Sequence, residues 1–362
     1  MTVIPTDGFV HEQRTLRVLF REGALDDLAA ETDRLGLTRV MVIAGPRHAA
    51  RVTELLGPRQ VAVVRDARMH VPLEQAEAVR ARCAEAGADG IVAVGGGSAT
   101  GLAKAVALTL RIPIVAVPTT YAGSEMTRVW GLTENGVKRT GRDPVVAPRT
   151  VLYDPALFAS LPAELAIPSA FNALAHAVEA LYAPDRTPMT DVVAAEAAGR
   201  IVRGLSRPAL DTQARTQLLY GAWLCGTSLD ATTMSLHHKL CHVLGGSFGL
   251  AHAPTHTVVL PYALAHNEQA APEAAAVVAG ALDDAGAADG PGPGERLRRF
   301  AQSAGAPRSL RELGLAREDL GTAARLALSS PYANPAPLDE DSVRALLERA
   351  WTGIPAQPEG TL

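Results

Sequence analysis

The sequence predicts an α/β domain with a parallel sheet, followed by an all-helical domain. Three observations lead there. Short β-branched runs alternate with amphipathic helical stretches up to about residue 150. Strand signals vanish after Asp154-Pro155. Long alanine- and leucine-rich helical stretches follow.

In order, Arg39–Ala44 (RVMVIA) reads as a buried strand and Gln60–Val64 (QVAVV) as a second. Pro72–Ala88 has helical periodicity, with its charges on one face. Gly90–Val94 is a strand, Ala99–Leu110 a helix, and Ile112–Val117 the next strand. Alternation of this kind implies parallel strands with helices on the sheet faces. Beyond the composition change come helices over Ser169–Leu181, Thr187–Arg203, Ala214–Leu229 and Met234–Leu244. The boundary is therefore expected at about residue 155, giving domains 1–155 and 156–362. The Gly-, Pro- and Ala-rich segment Asp284–Glu295 reads as a surface loop between two helices.

Composition excludes several function classes. A chain of 362 residues is too long for one ordinary core. With 48% hydrophobic and 20% charged residues it should pack, not stay disordered. A net charge of −4 gives no basic footprint for nucleic acid. The three cysteines, Cys83, Cys225 and Cys241, form no CxxC and fit a reducing compartment better than a disulfide framework. Met1–Gln13 carries Asp7, His11 and Glu12 and lacks the apolar run of a secretory leader. No run of about 20 apolar residues suits a membrane span. A cytoplasmic protein is expected.

Val94-Gly95-Gly96-Gly97-Ser98 ends a strand and opens a helix. Glycines there let backbone N–H groups approach a diphosphate, and a helix N-terminus favours the anion. It is not the GxGxxG fingerprint, and Ala44-Gly45-Pro46 stands after the first strand of that series. A second loop, Pro118–Glu125 (PTTYAGSE), brings Thr119, Thr120 and Ser124 to the next strand's carboxyl end, where α/β sheets collect ligands. Together the loops point to a dinucleotide.

Five of the ten histidines lie between Ser235 and Pro261. His238 and His242 share a helix face, as do Asn172 and His176 upstream. Gly245-Gly246 is expected to end the helix before His252 and His256. Two readings stay open. His176, His238 and His252 supply enough imidazoles for zinc or iron(II). The same imidazoles also suit a polar pocket for an anionic substrate, donating to a developing oxyanion. Asn172 stands where a carboxylate ligand would be expected; its neutral amide offsets none of a cation's charge.

These segments resemble the iron-containing (group III) alcohol dehydrogenases over nearly the whole chain. The likeness rests on Met69–Pro72, Gly95–Lys104, Pro118–Thr127, Val137–Pro144, Phe171–Asp185, Leu236–Gly246 and Pro331–Pro335. The metal-dependent branch typically carries Asp at the places of Asn172 and Gly101. The reductase branch shows this chain's pattern and is thought to work without metal. The resemblance implies a Rossmann-like sheet domain of the dehydroquinate synthase-like fold and a helical domain, with cofactor and substrate meeting between them. It implies reduction of the C=C bond of maleylacetate to 3-oxoadipate by NADH or NADPH, in aromatic-compound catabolism. Gly45, near where an Asp would disfavour NADPH, leaves both cofactors open.

On that basis Gly95, Gly96, Gly97, Ser98, Thr119, Thr120 and Ser124 bind the cofactor, and Lys138 reaches the nicotinamide ribose or the substrate. His238 and His242 stabilise an enolate or deliver a proton. His176 and His252, with Asn172 beside them, hold a carboxylate or the same oxygen. Lys239, Tyr332 and Arg142 are further candidates for the carboxylates. No metal is expected; if one binds, His176, His238 and His252 hold it. The expected partners are a dicarboxylate and a second copy of the chain in a homodimer. The alternatives are a metal-dependent alcohol or aldehyde oxidoreductase, a reductase of a related enone acid, a lyase like dehydroquinate synthase, and a non-catalytic nucleotide-binding regulator.

Overall fold

The protein is described by a computed structural model covering residues 16–134, 137–287 and 289–355. The segment read above for a leader, 1–13, lies outside the described residues. The chain divides into two units after Leu161. Asp154-Pro155, where the composition changes, belongs to the first unit, and Asp154 caps a short 3-10 turn by accepting the N–H of Ala156.

The first unit contains β1 (Arg17–Phe20), β2 (Val40–Ala44), β3 (Gln60–Val64), β4 (Gly90–Gly95), β5 (Ile114–Pro118), β6 (Val129–Glu134), β7 (Val137–Arg142) and β8 (Thr150–Tyr153). Its helices are α1 (Leu28–Arg34), α2 (Pro46–Leu56), α3 (Leu73–Glu85) and α4 (Gly97–Leu110). Six strands form one parallel sheet in the order β1-β8-β5-β4-β2-β3. Every residue of β2 and β5 is buried, as in a sheet covered on both faces, and their sequences are accordingly unbroken apolar runs. The chain leaves β2 toward β3 on one side and β4 toward β5 on the other. That reversal opens a crevice outside the carboxyl ends of β2 and β4, the place where open α/β sheets bind ligands. The antiparallel pair β6–β7 stands apart from the main sheet, with Thr133 opposite Lys138 and Val129 opposite Arg142.

Among its described residues the second unit has helices and no strand: α5 (Ala163–Ala180), α6 (Pro188–Leu205), α7 (Thr212–Ala231), α8 (Leu236–Phe248), α9 (His252–Asn267), α10 (Pro272–Asp284), α11 (Pro293–Ser303), α12 (Leu320–Ala327) and α13 (Glu340–Thr352). The expected loop lies between α10 and α11. Fourteen of the 18 residues of α5 are buried, so it is a central helix with no solvent face. It packs against α6, α7 and α9. Its polar residues Asn172, His176 and Glu179 are thus forced into the interior, where each needs a partner or a purpose.

Helix α8 corrects one expectation. It runs through Gly245-Gly246 to Phe248 and stops at Gly249, whose φ of 71° closes the helix while its N–H returns to the Gly245 carbonyl. Two glycines cost roughly 2 kcal/mol of helix propensity. Burial of Leu236, Leu240 and Leu244 against Val259, Tyr262 and Leu347 offsets that cost. No described helix is long and apolar enough to cross a membrane.

Candidate functional site

Gly95 and Pro118 are paired neighbours at the carboxyl ends of β4 and β5, so the two polar loops start side by side. The Thr119 N–H donates to the Gly95 carbonyl at 3.0 Å. Gly96 precedes α4, and no side chain caps that helix, which leaves its first-turn amides for a ligand or water. A Cβ on Gly96 would fall 2.9 Å from Thr120 Cγ2 and 3.0 Å from its Oγ1. Glycine is required here because the second loop presses on the first. Gly97 faces outward, with only the Ala122 Cβ, at 3.9 Å, near its own missing Cβ. Ser98 follows in the first turn of α4, half-buried. The Ser124 hydroxyl is buried without a hydrogen-bond partner among the described atoms. An uncapped helix start with the loop of Thr120 and Ala122 against it, and an unsatisfied hydroxyl in that same loop, suits a phosphate-bearing ligand.

Lys104 anchors this arrangement. It is 1% exposed, and its ammonium donates to the carbonyls of Ser124 (2.6 Å), Thr127 (2.7 Å) and Val129 (2.8 Å) and to Thr127 Oγ1 (2.9 Å). A buried cation is tolerable only with such a full set of acceptors. It ties the second loop to α4.

In the second unit Asn172, His176 and Glu179 lie on one face of α5, at i, i+4 and i+7. Helix α8 contributes His237, His238 and His242, and α9 contributes His252 and His256. His238 is the hub. Its ring centroid lies 5.0 Å from those of His176, His237 and His256 and 6.1 Å from that of His242. His252 and His256 are 4.2 Å apart. His176, His237, His238 and His256 are buried, whereas His242 and His252 are exposed.

Glu179, fully buried, organises the floor. Its carboxylate accepts the N–H of Ser235 (2.9 Å), the N–H of His237 (2.7 Å) and the Nδ1–H of His238 (2.7 Å). With the His238 proton on Nδ1, Nε2 carries a lone pair, and that buried atom has no hydrogen-bond partner. Asn172 Oδ1, His176 Nδ1 and both ring nitrogens of His256 are unsatisfied in the same way. So many orphaned polar atoms in one region point to a ligand, since each costs on the order of 1–3 kcal/mol unpaired. Burial holds His176, His238 and His256 well below the ordinary imidazole range and His237 at about 4, each further depressed by neighbouring histidines. Burial pushes Glu179 up, against the pull of its N–H donors and of His237.

Tyr332 joins this region. Its buried hydroxyl is unpartnered, and burial, reinforced by Glu179, pushes it up to about 12. Its loop is clamped by Ser235, which donates to the Ala333 carbonyl (2.7 Å), and by paired amide bonds between Asn334 and Asn267 (2.7 and 3.0 Å). Lys239 donates to Ser330 Oγ at 2.9 Å and lies 6.0 Å from the Tyr332 ring. Lys138 and Arg142 belong to the other unit, exposed on β7. Glu179 had no place among the sequence candidates, and His237 and His256 had no role. Glu179 reads as one charge in an alanine-rich helix, and its partners lie 56 to 59 positions away; the repeated histidines were the available signal for the other two.

The conditional ligand set His176, His238 and His252 is not gathered as such. Among the described residues, the His, Cys, Asp and Glu groups whose ligand atoms lie within 4.8 Å of one another contain neither His176 nor His252. Asn172 is neutral, and Glu179, the carboxylate at hand, is spent on three N–H donors. A site for iron normally includes a carboxylate; this donor set does not fit one.

The comparisons with known proteins agree with this architecture. The family model "Iron-containing alcohol dehydrogenase" matches residues 15–155, and "Fe-containing alcohol dehydrogenase family, C-terminal" matches 166–351. A maleylacetate reductase of Burkholderia cepacia is 48% identical over 96% of this chain and 99% of its own. One from Pseudomonas knackmussii is also 48% identical, again over 96% of this chain and 99% of its own. The crystal structure of maleylacetate reductase from Rhizobium sp. strain MTP-10005 matches with a TM-score of 0.90 and 44% identity, covering 97% of this chain and 100% of that one.

Proposed function

The chain belongs to the iron-containing alcohol dehydrogenase family, and from that premise we propose that it reduces the C=C bond of maleylacetate to 3-oxoadipate with NADH or NADPH, in aromatic-compound catabolism. It is an oxidoreductase. The observation that carries the reading is the buried imidazole cluster around His238, lined with unsatisfied polar atoms and backed by Glu179.

Maleylacetate is a dicarboxylate whose alkene is conjugated to a ketone. Hydride from the nicotinamide adds to the alkene carbon β to the ketone, and the electron pair moves onto the ketone oxygen. The enolate then takes a proton at the adjacent carbon. In this reading His238 takes up a proton at Nε2 as the dicarboxylate binds and gives it to the enolate carbon, and the Glu179 carboxylate at Nδ1 supports that imidazolium form. His242, exposed on the same helix face, shares the proton delivery. Asn172, His176 and His252 hold a carboxylate or the developing oxyanion. Tyr332, Lys239 and Arg142 bind the remaining carboxylate. Gly95, Gly96, Gly97, Ser98, Thr119, Thr120 and Ser124 hold the dinucleotide, and Lys138 its ribose or the substrate. No step runs through a metal, a reading supported by the neutral donor set at Asn172.

The test is isotope transfer. Nicotinamide deuterated at its transferable position should place one deuterium on the carbon β to the ketone of 3-oxoadipate. Deuterium on a carbinol carbon would mean carbonyl reduction and would overturn the proposal.

A further inference from the structure

Behind His238 lies a second cluster that the proposed reaction does not use. His237 and Cys241 are four residues apart on one face of α8, and His256 faces them from the second turn of α9. All three are at most 1% exposed, and their ligand atoms lie within 4.8 Å of one another. His237 Nε2 and Cys241 Sγ are 3.6 Å apart. Tetrahedral zinc with ordinary Zn–N and Zn–S bonds would hold those two atoms about 3.5 Å apart. The independent sign of a ligand is His256, fully buried, with neither ring nitrogen hydrogen-bonded.

We propose that His237, Cys241 and His256 form a buried site for a soft divalent cation of the zinc class, distinct from the position where the family's metal would be sought. A thiolate and two imidazoles select zinc over hard cations such as magnesium, which prefer oxygen. Binding converts the Cys241 thiol to a thiolate and releases one proton to solvent. It also replaces the 3.0 Å hydrogen bond from His237 Nε2 to the His256 carbonyl with a coordination bond. Charge closes locally. The dication meets one thiolate and the Glu179 carboxylate, which already accepts the His237 N–H at 2.7 Å. Three protein donors leave a fourth position for water.

The site contains a thiolate, and the histidines around Asn172 do not, so cobalt distinguishes them. The full-length protein, stripped with a chelator and then incubated with Co²⁺ until its absorbance is constant, should develop a sulfur-to-cobalt charge-transfer band in the near ultraviolet at one equivalent. Cys241→Ser should abolish the band, and so should His256→Gln, which stands in should the first variant fail to fold. His176→Ala should leave it unchanged. Two further results would overturn the site: visible cobalt bands without the sulfur band, or a sulfur band that survives Cys241→Ser. Absence of any cobalt binding to folded protein would overturn it as well.

Discussion

The loops of the first unit offer a ligand mainly backbone groups, whereas the histidine cluster of the second offers side chains. At Gly96 and Gly97 the useful property is a missing Cβ, and the groups offered are amides at the start of α4. Around His238 nearly every functional atom belongs to an imidazole, an amide or a carboxyl, drawn from α5, α8 and α9. A backbone site tolerates little steric change but has few groups to titrate. A side-chain site has a full interior to perturb and four buried histidines whose protonation is held down. The two should therefore fail differently when altered.

The largest effect is expected at the hub. His238→Ala removes the proposed proton donor, and kcat should fall about 10²–10⁴-fold with NAD(P)H affinity nearly unchanged. Glu179→Gln should fall in the same direction by less, because the amide cannot stabilise an imidazolium. Steady-state kinetics beside direct cofactor titration checks both. A loss confined to KM would show that His238 binds substrate and transition state alike.

Next is the anchor of the loops. Lys104→Met removes the four hydrogen bonds of a buried ammonium, to three carbonyls and a hydroxyl, and should cost about 2–4 kcal/mol of stability. Denaturant unfolding measures it. A smaller, local effect is expected from Gly97→Asp. The position has room, so the fold should survive, but a carboxylate at the helix start should weaken NAD(P)H binding about tenfold or more. Unchanged affinity would remove this loop from the cofactor site.

The comparison also sets how much each site revealed in the sequence. The turn from β4 into α4 at Gly95-Gly96-Gly97-Ser98 could be read directly, because it is written in consecutive residues. Four of the six parallel strands, β2 to β5, were legible as apolar runs, but the short β1 and β8 and the antiparallel β6 and β7 were not. Val137–Arg142 carries three basic residues and looks like loop, and Thr150–Tyr153 is four residues long. Histidine clustering in the sequence announced the imidazole cluster without Glu179. Glu179 acquires meaning only when α8 is packed against α5. Gly249, and not Gly245-Gly246, ends α8 because packing of the leucine face overrides helix propensity.

The gentlest perturbation is pH, in chelator-treated protein. His176, His237, His238 and His256 have folded-state values below those of the unfolded chain, so the unfolded state binds more protons as pH falls. Their contribution is fully present above about pH 6.5 and is lost below it, with a slope of at most about 1.4 kcal/mol per pH unit for each histidine. Unfolding midpoints between pH 8 and 5 should show the decline; a flat profile would mean that these rings titrate in the folded protein as they do in the unfolded chain. Dicarboxylate binding should draw protons onto His176 and His238, so substrate affinity should improve as pH falls over this range.

In the proposed reaction, neutral and transiently protonated side chains around His238 reduce maleylacetate and no metal takes part, including any held by His237, Cys241 and His256. The direct measurement is NAD(P)H oxidation by maleylacetate in protein treated with a strong chelator, with metal content determined on the same sample. Full turnover is expected at well under one metal per chain. Turnover that disappears on chelation and returns with one equivalent of iron or zinc would contradict it, as would fully folded, cofactor-bound protein that does not reduce maleylacetate.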